Sequence, residues 1–359
     1  MVDDRNAVLA GQDATTSSAP QQSTSTPVFS DRAIDIWYIT DMAQCNFECP
    51  YCCAYEVVTK DKAWRDEGSY EKFLTITERI AQIPYRVRMR VQTMGEPFVS
   101  KEFLGRMGWL TGHANVDFVE MVTNGSLLKA RLKLITEAGG DLSKISLWTT
   151  FHHTEIKMDK FLTMVEFAME AGCFVVVNSL AFPDSIDMVE ELHAECVKRG
   201  IRVNVDPGYR DGDSSYAEGP LIAMEAMPGG MERLRKLTAN KTVLKANLLA
   251  AKSADGHLCS AGQDYFIVSP DGSVGPCCPL ANKGIMLGNM LDPNYQLGPG
   301  KKDYMRCTVD RRVPVLSRVP VIGKAFRKQW PCKNKEDFGH LKSVRDTQPR
   351  APSLGWFGN

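Results

Sequence analysis

From residue 34 onward, apolar and polar positions alternate between two periods. Runs with a period near two at 34–40, 86–93, 117–123, 144–151, 174–181 and 201–206 read as strands. Between them lie segments such as Phe73, Ile76, Ile80 and Ile83, whose spacing of three, four and three marks one face of a helix. Six strand and helix units in alternation predict an α/β fold with a parallel sheet, a partial (β/α)6 TIM-like barrel. In such a barrel one face of each strand meets helices and is apolar, while the other faces the lumen. Giving Val87, Met89 and Val91 to the helices leaves Arg88, Arg90 and Gln92 in the lumen. The same period adds Glu120, Ser146, Trp148, Thr150, Asn178, Arg202, Asn204 and Asp206. The expectation is a polar cavity that holds charged ligands; the alternative is a set of edge strands with one wet face.

Outside this pattern the chain changes character. Residues 12–27 read QDATTSSAPQQSTSTP, whose only apolar side chains are two alanines, so residues 1–30 are expected to be a disordered tail. The barrel is expected over 31–215, a helical linker over 216–256, a small cysteine-bearing extension over 257–335 and a tail over 336–359. With 359 residues the chain is long enough for about two domains. Its 43 basic and 43 acidic side chains balance, which removes the electrostatic case for a nucleic-acid or anionic-membrane partner. The most apolar stretch, 173–182, is interrupted by Asn178 and Ser179 and falls well short of the roughly 20 residues of a membrane span. The first residues carry neither a basic nor an apolar signal region, and a cytoplasmic location is expected.

In a reducing compartment the 11 cysteines point to metal ligands or buried thiols rather than disulfides. Cys45, Cys49, Cys52 and Cys53 are crowded together, while Cys259, Cys277, Cys278, Cys307 and Cys332 lie in the last hundred or so residues. Cys173 and Cys196 stand alone and read as small buried hydrophobes. Cys45, Cys49 and Cys52 form C-x3-C-x2-C directly after the first strand, at the C-terminal mouth where barrels keep their chemistry. Three thiolates on one loop can hold three irons of a cubane and leave the fourth open. The alternatives are a zinc site completed by Cys53 or a distant histidine, or a loop of buried thiols.

The loop resembles the signature of the radical S-adenosylmethionine (radical SAM) enzymes, in which an aromatic residue such as Tyr51 precedes the third cysteine. Thr93-Met94-Gly95-Glu96-Pro97 is similar to the family's Gly-Gly-Glu-Pro motif, with Met94 in place of the first glycine. Thr123-Asn124-Gly125 and Thr150-Phe151-His152-His153 resemble later family elements in the same order, each at the end of a strand. The resemblance covers about residues 35–210. It implies a [4Fe-4S] cluster on Cys45, Cys49 and Cys52 that binds S-adenosylmethionine. It also implies cofactor contacts from Tyr51, Gly95, Glu96, Asn124, Thr150, His152 and Asn178.

From Cys259 to Cys277 the text reads as a strand at 265–268, a turn at 270–272 and a return strand from 273, a hairpin expected to bring the two cysteines together. The spacing C-x12-G-x4-C resembles the opening of the SPASM and Twitch extensions of the same family. That resemblance implies one auxiliary [4Fe-4S] cluster on Cys259, Cys277, Cys307 and Cys332, with Cys278 as a substitute ligand; the alternative is a degenerate extension with structural cysteines.

The resemblance implies an enzyme that cleaves S-adenosylmethionine to a 5′-deoxyadenosyl radical, with electrons from a flavodoxin- or ferredoxin-type donor. The expected substrate is a small polar molecule such as a sugar, aminocyclitol, nucleoside or amino-acid derivative in natural-product or cofactor biosynthesis. Arg88, Arg90, Glu120, Trp148 and Arg202 are its candidate contacts, the arginines either clamping an anion or pairing internally with Glu120 or Asp206. The enzymatic alternative is a SPASM-type maturase of a ribosomal peptide or protein side chain, and the non-enzymatic one an iron-sulfur electron carrier.

Overall fold

The structure, a computed structural model, describes residues 30–208 except Cys53, Tyr55 and Glu56, then 222–237, 258–298 with breaks at 260, 278–280 and 282–283, and 305–306. The expected tails, most of the linker, and Cys278, Cys307 and Cys332 lie outside the described residues.

Six strands run parallel in chain order: β1 (Ser30–Ile39), β2 (Tyr85–Gln92), β3 (Val116–Thr123), β4 (Ile145–Thr150), β5 (Phe174–Ala181) and β6 (Val203–Pro207). Helices connect them: α1 (Ser69–Ala81), α2 (Lys101–Thr111), the short α3 (Leu128–Arg131) and α4 (Lys133–Glu137), α5 (Met158–Glu170) and α6 (Ile186–Lys198). This is the expected partial barrel. Its core lies between strands and helices, where Ile34, Ile36, Val87, Met89, Val119, Met121, Val175 and Val177 are fully buried against Phe73, Ile76, Phe103 and Phe161. Helix α1 shows how local sequence and packing agree. Phe73, Ile76, Thr77 and Ile80 share its buried face, and Pro84 stops continuation just past its end. Ser100 opens α2 by accepting a hydrogen bond from the Phe103 N–H (3.1 Å), which satisfies one of the donors that a helix start leaves without a partner. Cys173 and Cys196 are buried, and burial pushes both thiols up to about 12, as suits packing rather than reactivity.

Helix α7 (Gly230–Leu237) follows, and then the extension: β7 (Leu258–Cys259), β8 (Tyr265–Val268), β9 (Ser273–Gly275), β10 (Gly288–Asn289) and β11 (Met305–Arg306). The 265–275 hairpin forms as its turn residues suggest, with β8 and β9 antiparallel. Its outer partner is not evident from sequence. Strand β8 lies parallel to β1, with Asp35 opposite Tyr265 and Trp37 opposite Ile267, giving one nine-stranded sheet in the order β10-β9-β8-β1-β2-β3-β4-β5-β6. The extension thus continues the barrel sheet. Among the described residues no helix is long and apolar enough to cross a membrane.

Candidate active site

The thiol loop is anchored at its base. After β1, residues 41–45 run against 59–65: Ala43 N–H donates to Ala63 O (2.8 Å), Cys45 N–H to Thr59 O (3.0 Å) and Thr59 N–H to Ala43 O (3.0 Å). Buried Asp41 fixes the far side, pairing with Arg65 (3.1 Å) and accepting from Ser69 Oγ (3.2 Å). Between these supports Cys45, Cys49 and Cys52 are free, half-buried thiols, and a Cys52 N–H to Cys49 O bond (3.1 Å) closes the turn between the last two. Burial raises the Cys45 thiol, and burial, with Glu155 and the neighbouring thiols, pushes Cys49 up to about 12. Such thiols give up their protons to a cationic metal group rather than to water, which fits an iron cluster. No three His, Cys, Asp or Glu side chains among the described residues converge as for a single metal ion. A cubane asks for one thiolate per iron, spread around its rim.

The Gly95-Glu96 segment after β2 splices this loop to the next. Met94 and Gly95 N–H donate to Met42 O (2.9 and 3.0 Å), and Glu96 N–H donates to Gln44 O (2.8 Å). The approach is so close that a Cβ on Gly95 would lie 2.1 Å from Gln44 O. The Glu96 side chain is buried and accepts from Thr123 Oγ1 (2.6 Å), Asn124 N–H (2.6 Å) and Phe98 N–H (3.0 Å). In the structure its carboxyl therefore ties the ends of β2 and β3 together. Gly125, at φ +73, makes the turn that lets Asn124 face back toward the thiol loop.

Burial pushes Glu96 up to about 7, against the lowering effect of its three donors. A carboxyl held above its unfolded value keeps its proton longer in the folded state, so its contribution is full below about 4.5 and is lost as pH rises toward about 7. Unfolding free energies of the metal-free protein across that window, compared with Glu96→Gln, should differ in slope, with wild type losing stability more steeply. Parallel curves would exclude the linkage.

Aromatic rings gather at the mouth. Tyr51 packs at 5.9 Å against His152, His153 and Phe182, its Oη is 3.3 Å from His152 Nδ1, and Phe47 meets His152 edge-on at 6.1 Å. Burial lowers His152 to about 4, so this surface carries a neutral imidazole at neutral pH. Thr150, at the end of β4, lies opposite Asn178 of β5. Flat rings beside polar groups suit a nucleoside with stacking and hydroxyl contacts.

Below the mouth the lumen is polar, and the charges of Arg88 and Arg90 are matched there. The Arg90 guanidinium bonds Glu120, which also accepts from Ser146 Oγ (3.2 Å), and lies 5.9 Å from the Trp37 ring centroid and 5.2 Å from that of Trp148. Arg88 pairs with buried Asp35 at 2.5 Å. Of the two expected uses of these arginines, internal pairing is the one seen, and Arg88 finds an acid not considered from sequence. Arg202 stacks on Phe174 (4.3 Å), and burial lowers it to about 10. Toward the mouth Asn204 donates to Asn178 Oδ1 (2.8 Å). Rotating the Asn178 amide lets it instead accept from Trp148 Nε1 and donate to Asp206, each at 3.3 Å.

In the extension Cys277 is buried in a small cluster with Phe118, Ala261 and Tyr265, beside Trp37. Cys259 lies in β7, opposite Met305 of β11. Of the four auxiliary ligands expected, these two fall within the described residues. Sequence reading missed Asp35 and Trp37, although the period of two applied to β1 puts both on the lumen face. It also missed Asn46, Phe47, Ser126 and Phe182, loop residues with no periodic signal.

Residues 39–196 match the model of the radical SAM superfamily. Similar proteins include the GTP 3′,8-cyclase of Staphylococcus carnosus, 27% identical over 150 residues covering 39% of this chain and 43% of the relative. The GTP 3′,8-cyclase of Mesorhizobium japonicum is 26% identical over 221 residues, covering 58% and 65%. The matched region thus spans less than half the length of the first relative. A solved structure of native anSMEcpe with bound AdoMet has 17% identity and a TM-score of 0.48, covering 72% of this chain and 78% of that one.

Proposed function

We propose that this chain, whose residues 39–196 match the model of the radical SAM superfamily, is an enzyme of that superfamily that abstracts hydrogen from a small polar molecule. The observation that carries the reading is the three-thiol loop spliced by Gly95 and Glu96 over the mouth of a polar lumen. Cys45, Cys49 and Cys52 would hold a [4Fe-4S] cluster, which, with an electron from a flavodoxin- or ferredoxin-type donor, would supply reductive cleavage of S-adenosylmethionine.

The chain's own residues bind, orient and shield. Tyr51, neutral His152 and Phe182 offer flat surface for the nucleoside, and Thr150 and Asn178 offer hydroxyl and amide contacts to its sugar. Trp148 and the Arg90–Glu120 pair line the lumen below, where ring and ion pair take up space that water would otherwise fill. Two curated relatives act on GTP, a polyanion. Here Arg88 and Arg90 are already neutralised by Asp35 and Glu120. The neutral amide of Asn204, which reaches Asn178 at 2.8 Å, instead favours hydroxyl or amine groups, as in a sugar, aminocyclitol or amino-acid derivative.

With dithionite and S-adenosylmethionine, the anaerobically reconstituted protein should form 5′-deoxyadenosine, and Cys49→Ala should form at least about 100-fold less. Chromatography of the quenched reaction reads this directly. Undiminished product from the variant would remove Cys49 from the centre of the chemistry.

A further inference from the structure

The thiol loop has a second tether on its outer side. Asn46, the residue after Cys45, donates from Nδ2 to Ser126 Oγ (2.9 Å) and accepts at Oδ1 from Asn124 Nδ2 (3.0 Å). Asn124 Oδ1 in turn accepts from Ser126 Oγ (2.7 Å) and Ser126 N–H (3.0 Å). Three side chains thus close a ring between the loops that follow β1 and β3. The ring is continuous with the splice already described, because Asn124 N–H donates to Glu96 and Glu96 N–H donates to Gln44 O. Asn124 is buried while Asn46 is exposed, so a fixed side chain on the barrel holds a mobile type of side chain on the loop.

We propose that Asn46, Asn124 and Ser126 are positioning residues that clip the three-thiol loop to the end of β3 and so fix Cys45 relative to Cys49 and Cys52. The physical reason is preorganisation. A loop that carries three metal ligands loses conformational freedom when they converge, and a side-chain clip next to the first ligand removes part of that loss in advance. Asn124 then acts on the cluster through Asn46. The proposal rests on those three thiols holding an iron cluster.

The test follows iron release to an excess of bathophenanthroline from the anaerobically reconstituted full chain. It compares wild type with Asn46→Ala, Asn124→Ala, the double variant and Glu48→Ala. Glu48 is an exposed residue of the same loop whose partner is Lys60 (3.1 Å) and serves as the control. Asn46→Ala and Asn124→Ala should each release iron about tenfold faster. The double variant should be no faster than the worse single one, and Glu48→Ala should match wild type. The metal-free Asn46→Ala protein should melt as wild type does, which separates loop positioning from folding. Wild-type release rates in Asn46→Ala, or single effects that multiply in the double variant, would overturn the clip. If wild type itself takes up no iron, the cluster reading fails and the clip with it, a result distinct from either.

Discussion

Glu120→Ala should cost about 3–5 kcal/mol of stability, because it leaves the Arg90 guanidinium without its carboxylate inside the lumen. Glu120 is fully buried and Arg90 is 7% exposed, so water cannot replace the lost partner in place. The cost is that of a buried charge that has lost its carboxylate, not the net value of the pair. A double variant, Arg90→Met with Glu120→Leu, should therefore recover most of the loss, since two apolar groups of similar volume need no partner. Urea unfolding midpoints of the single and double variants decide the matter. If both lose equally, packing against Trp37 and Trp148, rather than charge, sets the cost.

Gly95→Ala is the second large effect, and its cause is steric. The added Cβ would lie 2.1 Å from Gln44 O, 2.5 Å from Gln44 C and 2.6 Å from Ala43 O, all backbone atoms that no side-chain rotation can move. Gly95 is not among the residues with positive φ, so its backbone angles alone would admit alanine. Relief requires the two segments to separate, breaking the Gly95 and Glu96 bonds to Met42 O and Gln44 O, at a cost of about 3 kcal/mol. Gly68→Ala provides the contrast. At φ +76 with no atom within 4 Å, it should cost only the left-handed backbone penalty, about 1 kcal/mol. Denaturation of the two variants should rank them in that order, and Gly95→Ala should also bind less iron on reconstitution. Equal stability losses would mean that the splice gives way easily.

The strands were readable from sequence because each buries an alternating, largely β-branched face. Strand β5 runs over the expected 174–181, and β8 over 265–268. The strand ends stood out in the sequence because Gly-Glu-Pro and Asn-Gly stand there in order, and in the structure these segments meet one another and the thiol loop. What sequence did not reveal depends on which distant segments meet. Arg88 and Asp35 share a lumen layer because β1 and β2 are in register, and no local pattern encodes register. Asn46 and Ser126 lie 80 residues apart, and both look like ordinary loop residues until the loops after β1 and β3 are seen side by side. Glu96 shows the converse: the motif was plain, but that its carboxyl is spent on three donors of its own chain could be known only from the fold.

The pairing of β8 along β1 has a consequence for how the chain must be made. Strand β1 is both the origin of the thiol loop and the strand to which the extension attaches. Without β8 it would end the sheet with a row of open amides and carbonyls, a template for any other extended chain. The segment that brings the second group of cysteines is therefore also a cover for the seam of the first. During synthesis β1 emerges more than two hundred residues before β8, and until then this seam is the surface most in need of protection from neighbouring polypeptides.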